Sequence, residues 1–68
     1  MNTNTMISLL RVYDNLRGQA KQKESFDIIE GIIEEYAYDF DDPRTLDGLL
    51  GNTNMDIHKR AERILKGR

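Results

Sequence analysis

Phe26, Ile29, Ile33, Tyr36 and Phe40 recur at steps of three and four. At 100° per residue they fall within about 80° of arc, while most of the carboxylates of the same run lie across the helix. A stripe of that kind commits the segment to an amphipathic helix, expected from Glu24 or Ser25 to Phe40, with one side buried. Ile28, Ile29, Ile32 and Ile33 would also suit a strand, but their period is helical and no second strand exists to pair with.

The same period recurs elsewhere. Met6, Leu9, Leu10, Tyr13 and Leu16 predict a first helix from about Thr5 to Arg17, capped by Asn4 or Thr5 and stopped at Gly18. The polar run GQAKQKES reads as a connection. DDPRTLDGLLG supplies Asp42 as an N-cap, Pro43 at the first helical position and Gly51 just past the end of a short third helix. Leu46, Leu49 and Leu50 give that helix a small apolar face, and Gly48 weakens it by about 1 kcal/mol relative to alanine. Thr53 or Asn54 is the expected cap of a fourth helix, with Ile57, Ala61, Ile64 and Leu65 on one face and Lys59, Arg60, Arg63 and Lys66 on the other. The expected architecture is all-α: residues 1–68 form a single domain, a bundle or orthogonal array of about four short helices.

Sixty-eight residues leave room for one core. At usual per-residue values the fold is worth about 3 to 10 kcal/mol. A domain this small normally gains from a disulfide or a metal, and the chain has no cysteine. Helix packing or self-association must then provide the stability. The absence of cysteine fits a reducing compartment. The N-terminal segment is polar and carries Arg11 and Asp14 before any long apolar run develops, so it matches neither a signal peptide nor a membrane span. A soluble, cytoplasmic protein is expected, with no membrane partner.

The formal net charge of -2 conceals a segregation. Between residues 24 and 47 nine acids face Arg44 alone, a net of -8, whereas the two flanks carry nine Lys and Arg against three acids, a net of +6. Enzyme chemistry finds little support. His58 is the only histidine, the five glycines are scattered, and no nucleophile stands at a suggestive spacing from that ring. No catalytic residue and no cofactor is expected. Asp39, Asp41 and Asp42 resemble the opening of a calcium loop, but Pro43 and Arg44 occupy the places of a further ligand and the turning glycine. These aspartates are read as favouring the start of the third helix, and no metal site is expected.

Two faces remain as binding candidates. On the second helix Ile28 and Tyr38 fall off the core stripe and share a second seam with Glu24, Gly31 and Glu35. This seam either packs against the domain's own helices, or presents an aromatic ringed by charge to a partner or to a second copy. Ile28, Glu34, Glu35, Tyr38, Asp39 and Asp41 are the candidate contacts for a protein partner with a basic surface. The expected function is accordingly a non-enzymatic interaction module: an adaptor, inhibitor or regulatory subunit. The alternative is a helix-turn-helix-like DNA-binding regulator that uses Lys59, Arg60, Arg63 and Lys66 on phosphates. Asp56 in the first turn of the would-be reading helix and the acidic middle of the chain oppose that alternative. The run DIHKRAERIL resembles the D-H-R-x-A-E run of the small helical Hha-type proteins that bind nucleoid proteins, but carries one extra residue, and no residue role is transferred from it.

Overall fold

The computed structural model describes residues 1–67; Arg68, counted above among the basic residues, lies outside the described residues. Four helices follow one another: α1 (Thr3–Leu16), α2 (Lys23–Tyr36), α3 (Pro43–Gly51) and α4 (Ile57–Lys66), with a single 3-10 turn at Ala20–Gln22 leading into α2. Among the described residues there is no strand. The protein is a small all-α bundle.

α1 is the centre of the packing, with α4 against one side, α2 against another, and α3 resting mainly on α4. Met6, Leu10 and Tyr13 of α1, Ile33 of α2, Leu49 and Leu50 of α3, and Ala61 and Ile64 of α4 form the buried cluster. Leu9, Phe26 and Ile29 pack around it half-buried. The Tyr13 ring stacks on Phe26 with centroids 4.4 Å apart, which fixes the register of α1 on α2.

The helix starts use side chains the sequence had placed differently at two of three capped ends. Asn2, rather than Asn4 or Thr5, accepts the Thr5 amide at 2.8 Å and starts α1 at Thr3. Asp56, rather than Thr53 or Asn54, caps α4 by accepting the His58 amide at 2.9 Å. The intervening residues Asn52–Met55 are spent on a turn closed by the Met55 amide on the Asn52 carbonyl. Asp42 caps α3 as expected, with Pro43 in the first turn, while Gly51 is the last helical residue rather than the one beyond.

The largest departure is the end of α2, at Tyr36 instead of Phe40. Ala37 turns extended (φ -70°, ψ 152°), and the Tyr38 amide donates to the Ile64 carbonyl of α4 at 2.6 Å. Pro43 disfavours helical backbone just before it, and the aspartates at 39, 41 and 42 are poor helix formers. The chain therefore crosses to α4 as an extended strap. Phe40 still reaches the core, from the strap, whereas Tyr36 stays about half exposed. Gly18 follows α1 at φ +77°, a conformation that glycine adopts without strain, and turns the chain toward α2.

Candidate partner-binding site

The strap folds the C-terminal end of α2 over the start of α3, and a crevice of about 410 Å³ opens between them. Its apolar surface comes from Ala37, Phe40, Pro43 and Leu46, with Tyr38 beside them. The Tyr38 and Phe40 rings meet edge to face, 5.2 Å between centroids. Glu34 and Glu35 reach the crevice from the last turn of α2, Asp39 from the strap and Asp47 from α3. Four carboxylates thus share one depression with these apolar side chains, and its exposed lining is more polar than apolar. Among the described residues none of the four has an ion-pair partner within 4 Å.

Of the six residues expected to bind a protein partner, Glu34, Glu35, Tyr38 and Asp39 are brought together here. Asp41 is exposed but does not line the crevice. Ile28 is exposed on α2, two turns before Tyr36, and also lies outside it. The expected seam from Ile28 to Tyr38 is not a helical seam at all, because Tyr38 has left the helix. In the sequence Asp47 counts only as one of the nine acids between residues 24 and 47, and Leu46 only as part of the small apolar face of the third helix. Their membership in the site depends on the tertiary fold, and no spacing along the chain predicts it.

Beside the crevice, Asp42 accepts both the amide and the guanidinium of Arg44, with contacts of 3.0 to 3.2 Å. These bonds hold its carboxyl below the usual carboxylate range, the side-chain contact acting most. Arg44 is thereby turned toward its own helix cap. At the far end of the strap, the Tyr38 ring lies against Gly67, whose φ of +77° places it in the left-handed region.

The basic face of α4 is smaller than expected. Lys59, Arg63 and Lys66 are exposed, and Lys66 approaches Glu62 at 3.7 Å. Arg60, expected on that face, is only 1% exposed and belongs to the interior. Its Nε donates to the Leu49 carbonyl at 2.7 Å, one terminal nitrogen donates to the Leu50 carbonyl at 2.6 Å, and both terminal nitrogens grip the Asp14 carboxylate at 2.8 and 3.0 Å. A helix of this period places Arg60 about 100° from Lys59, on the α1 and α3 side.

No protein-family model, curated protein sequence or solved structure shows significant similarity to this chain. Among the described residues no cluster of His, Cys, Asp and Glu is arranged to hold a metal ion, and no helix is long and apolar enough to cross a membrane.

Proposed function

We propose that this chain is a small non-enzymatic interaction module of the cytoplasm, an adaptor, inhibitor or regulatory subunit, that holds a basic segment of a protein partner in the crevice between α2 and α3. The observation that carries the reading is the convergence of Glu34, Glu35, Asp39 and Asp47 on one depression that also exposes Ala37, Phe40, Pro43 and Leu46. Exposed ion pairs contribute about 0 to 1 kcal/mol each, so four carboxylates alone give weak, unselective attraction. Burying one leucine-sized side chain adds about 1.5 to 3 kcal/mol. The fitting segment therefore combines basic and apolar side chains. An arginine suits the site doubly, because its planar guanidinium pairs with carboxylates and stacks on aromatic rings such as Tyr38 and Phe40. The acidic surround speeds encounter with such a partner and rejects acidic ones.

The test is a titration of the isotope-labelled protein with a synthetic peptide of alternating leucine and arginine, followed by amide chemical shifts. Saturable shifts confined to residues 34–47 and abolished by Asp47→Lys support the reading. Shifts spread over every acidic residue, or none, overturn it. A labelled DNA duplex is titrated in parallel. Binding that weakens with salt at a log–log slope of about -0.9 per phosphate contact, and is lost on Lys59→Ala with Arg63→Ala, makes the α4 face the site instead.

A further inference from the structure

Phe40 lines a second recess besides the crevice. This one, of about 210 Å³, runs from Phe40 toward the end of α4 and is completed by Thr45, Leu49, Arg63 and Gly67. The half-buried Phe40 ring is thus common to two depressions of opposite character. Four carboxylates share the crevice, whereas the smaller recess has no acid in its lining and one cation, Arg63. Arg63 is exposed and, among the described residues, has no ion-pair partner within 4 Å. Lys59 stands four residues before it and Lys66 three after, on the same side of the helix, and both add to the local positive potential. Of the nearby acids, Asp42 is held by Arg44, Asp47 belongs to the crevice, and Asp41 lines neither recess. The positive end of α3 at Thr45 and the negative end of α4 at Gly67 oppose each other here. The carbonyls of Arg63 and Ile64 are already taken by the amides of Gly67 and Tyr38. The free charge of Arg63 therefore decides which sign the recess attracts.

The recess calls for one group that joins an apolar body, against Phe40 and Leu49, to an anion, against Arg63 and the Thr45 hydroxyl. No amino-acid side chain supplies both, because aspartate and glutamate bring the carboxylate without the apolar body. The last residue of a chain does supply both when its side chain is apolar, since its α-carboxylate stands on the same Cα. The size agrees: the recess is smaller than the roughly 300 to 1,000 Å³ of most small-molecule sites and suits a single residue. On the premise that the crevice seats a basic segment, we propose that this recess receives the C-terminal residue of that segment. A leucine-like side chain packs on Phe40 and Leu49, and the terminal carboxylate pairs with the Arg63 guanidinium and accepts from the Thr45 hydroxyl. A guanidinium–carboxylate pair of this kind is short, charge-assisted and selective in geometry. Opposite charges on the two sides of one ring then set the direction of the bound segment, with its basic residue upstream and its terminus at α4. An extended chain advances ~3.4 Å per residue, so a basic residue about two positions before the end reaches the crevice carboxylates across Phe40.

Amide shifts of the isotope-labelled protein test this with a peptide ending in arginine, alanine and leucine, used once as the free acid and once amidated. The amidated form should shift only residues 34–47, whereas the free acid also shifts Leu49, Arg63 and Gly67 and binds at least fivefold tighter. That advantage should vanish in Arg63→Gln, a change at an exposed position that leaves the fold intact. It should shrink when the final leucine is replaced by alanine in the free acid. Equal binding of the two forms, with Leu49 and Arg63 unmoved, overturns the terminal site while the crevice reading stands. Shifts at Leu49, Arg63 and Gly67 that survive Asp47→Lys, with none at residues 34–39, retain the terminal site and overturn the crevice reading. N-acetyl-leucine is the remaining arm: if it binds as tightly as the free-acid peptide, the recess belongs to a small apolar acid and the chain terminus is ruled out.

Discussion

Arg60 and Asp14, 46 residues apart in the chain, meet in a two-pronged ion pair that joins α4 to α1. The remaining donors of the same guanidinium reach the carbonyls of Leu49 and Leu50 at the end of α3, and Arg17 donates to the Leu50 carbonyl as well, at 2.5 Å. The last turn of a helix leaves carbonyls without intrahelical partners. Here a side chain from a neighbouring helix supplies them, and three helices are held through one residue.

Arg60→Met removes four hydrogen bonds, leaving the Leu50 carbonyl to Arg17, the Leu49 carbonyl to the Asn52 amide at 3.4 Å, and Asp14 with only Arg17 at 3.8 Å. Breaking a fully buried pair from one side costs about 3 to 5 kcal/mol. Because Asp14 is about a quarter exposed, the cost here falls toward or below the lower end of that range, still a sizeable part of the roughly 3 to 10 kcal/mol available to a chain of this size. Arg60→Lys should cost nearly as much, since one ammonium cannot reach the carboxylate and both carbonyls in the geometry of the fork. Urea unfolding checks this: both variants lower the midpoint strongly, and a lysine variant as stable as the parent would contradict it.

Tyr13 gives the fold a weakness to alkali. Burial, the hydrogen bond to Glu30 and the negative charge of Glu30 together push its phenol from an ordinary value of 10 up to about 12. The folded state favours the neutral phenol, so this contribution is complete below about pH 10, where the unfolded chain would begin to ionise, and is lost as pH rises toward about 12. Tyrosinate absorbance should show one phenol titrating late, or abruptly with unfolding. Glu30→Gln should move that step to lower pH.

Gly67 closes α4 in the left-handed conformation, and a Cβ built on it would lie 2.6 Å from Cδ2 of Tyr38. Gly67→Ala should destabilise by about 1 to 2 kcal/mol from the backbone alone. The half-exposed Tyr38 ring would swing aside to relieve the contact. In the double variant Tyr38→Ala, Gly67→Ala the backbone cost should persist while any additional cost disappears, which thermal unfolding of the four-member cycle would resolve.

Tyr38→Ala separates binding from folding. The ring is 51% exposed, and its edge-to-face contact with Phe40 is worth about 0.5 to 1.5 kcal/mol. Helicity should be retained with a modest loss of stability, while affinity for the leucine–arginine peptide falls about tenfold. A variant that melts outright would place Tyr38 in the core and remove it from the crevice's binding surface.

Much of the fold is legible along the chain because helical period is a local property: Met6, Leu10, Tyr13, Ile33, Leu49, Ala61 and Ile64 are buried on the faces their spacing predicts. The end of α2 is not legible, because the chain turns extended at Ala37 and the Tyr38 amide that follows is held by a carbonyl of Ile64 that lies far along the sequence. Arg60 misleads for a related reason. Its spacing places it near Lys59 and Arg63, and only the nearness of Asp14 and the end of α3 draws it inward. The crevice was half visible, as a run of carboxylates with Tyr38 among them. Its other wall, Leu46 and Asp47, exists only once the strap has returned the chain.

The grip of Arg60 on α3 is made through main-chain oxygens, which every residue type carries. The side chains of the shortest helix are therefore not read by the group that positions it. Substitution at Asp47, exposed on the wall that α3 gives the crevice, can redraw that wall while the helix keeps its place. The chemistry of that wall can thus change by single replacement without disturbing the bundle, provided that Arg60 and Asp14 are kept together.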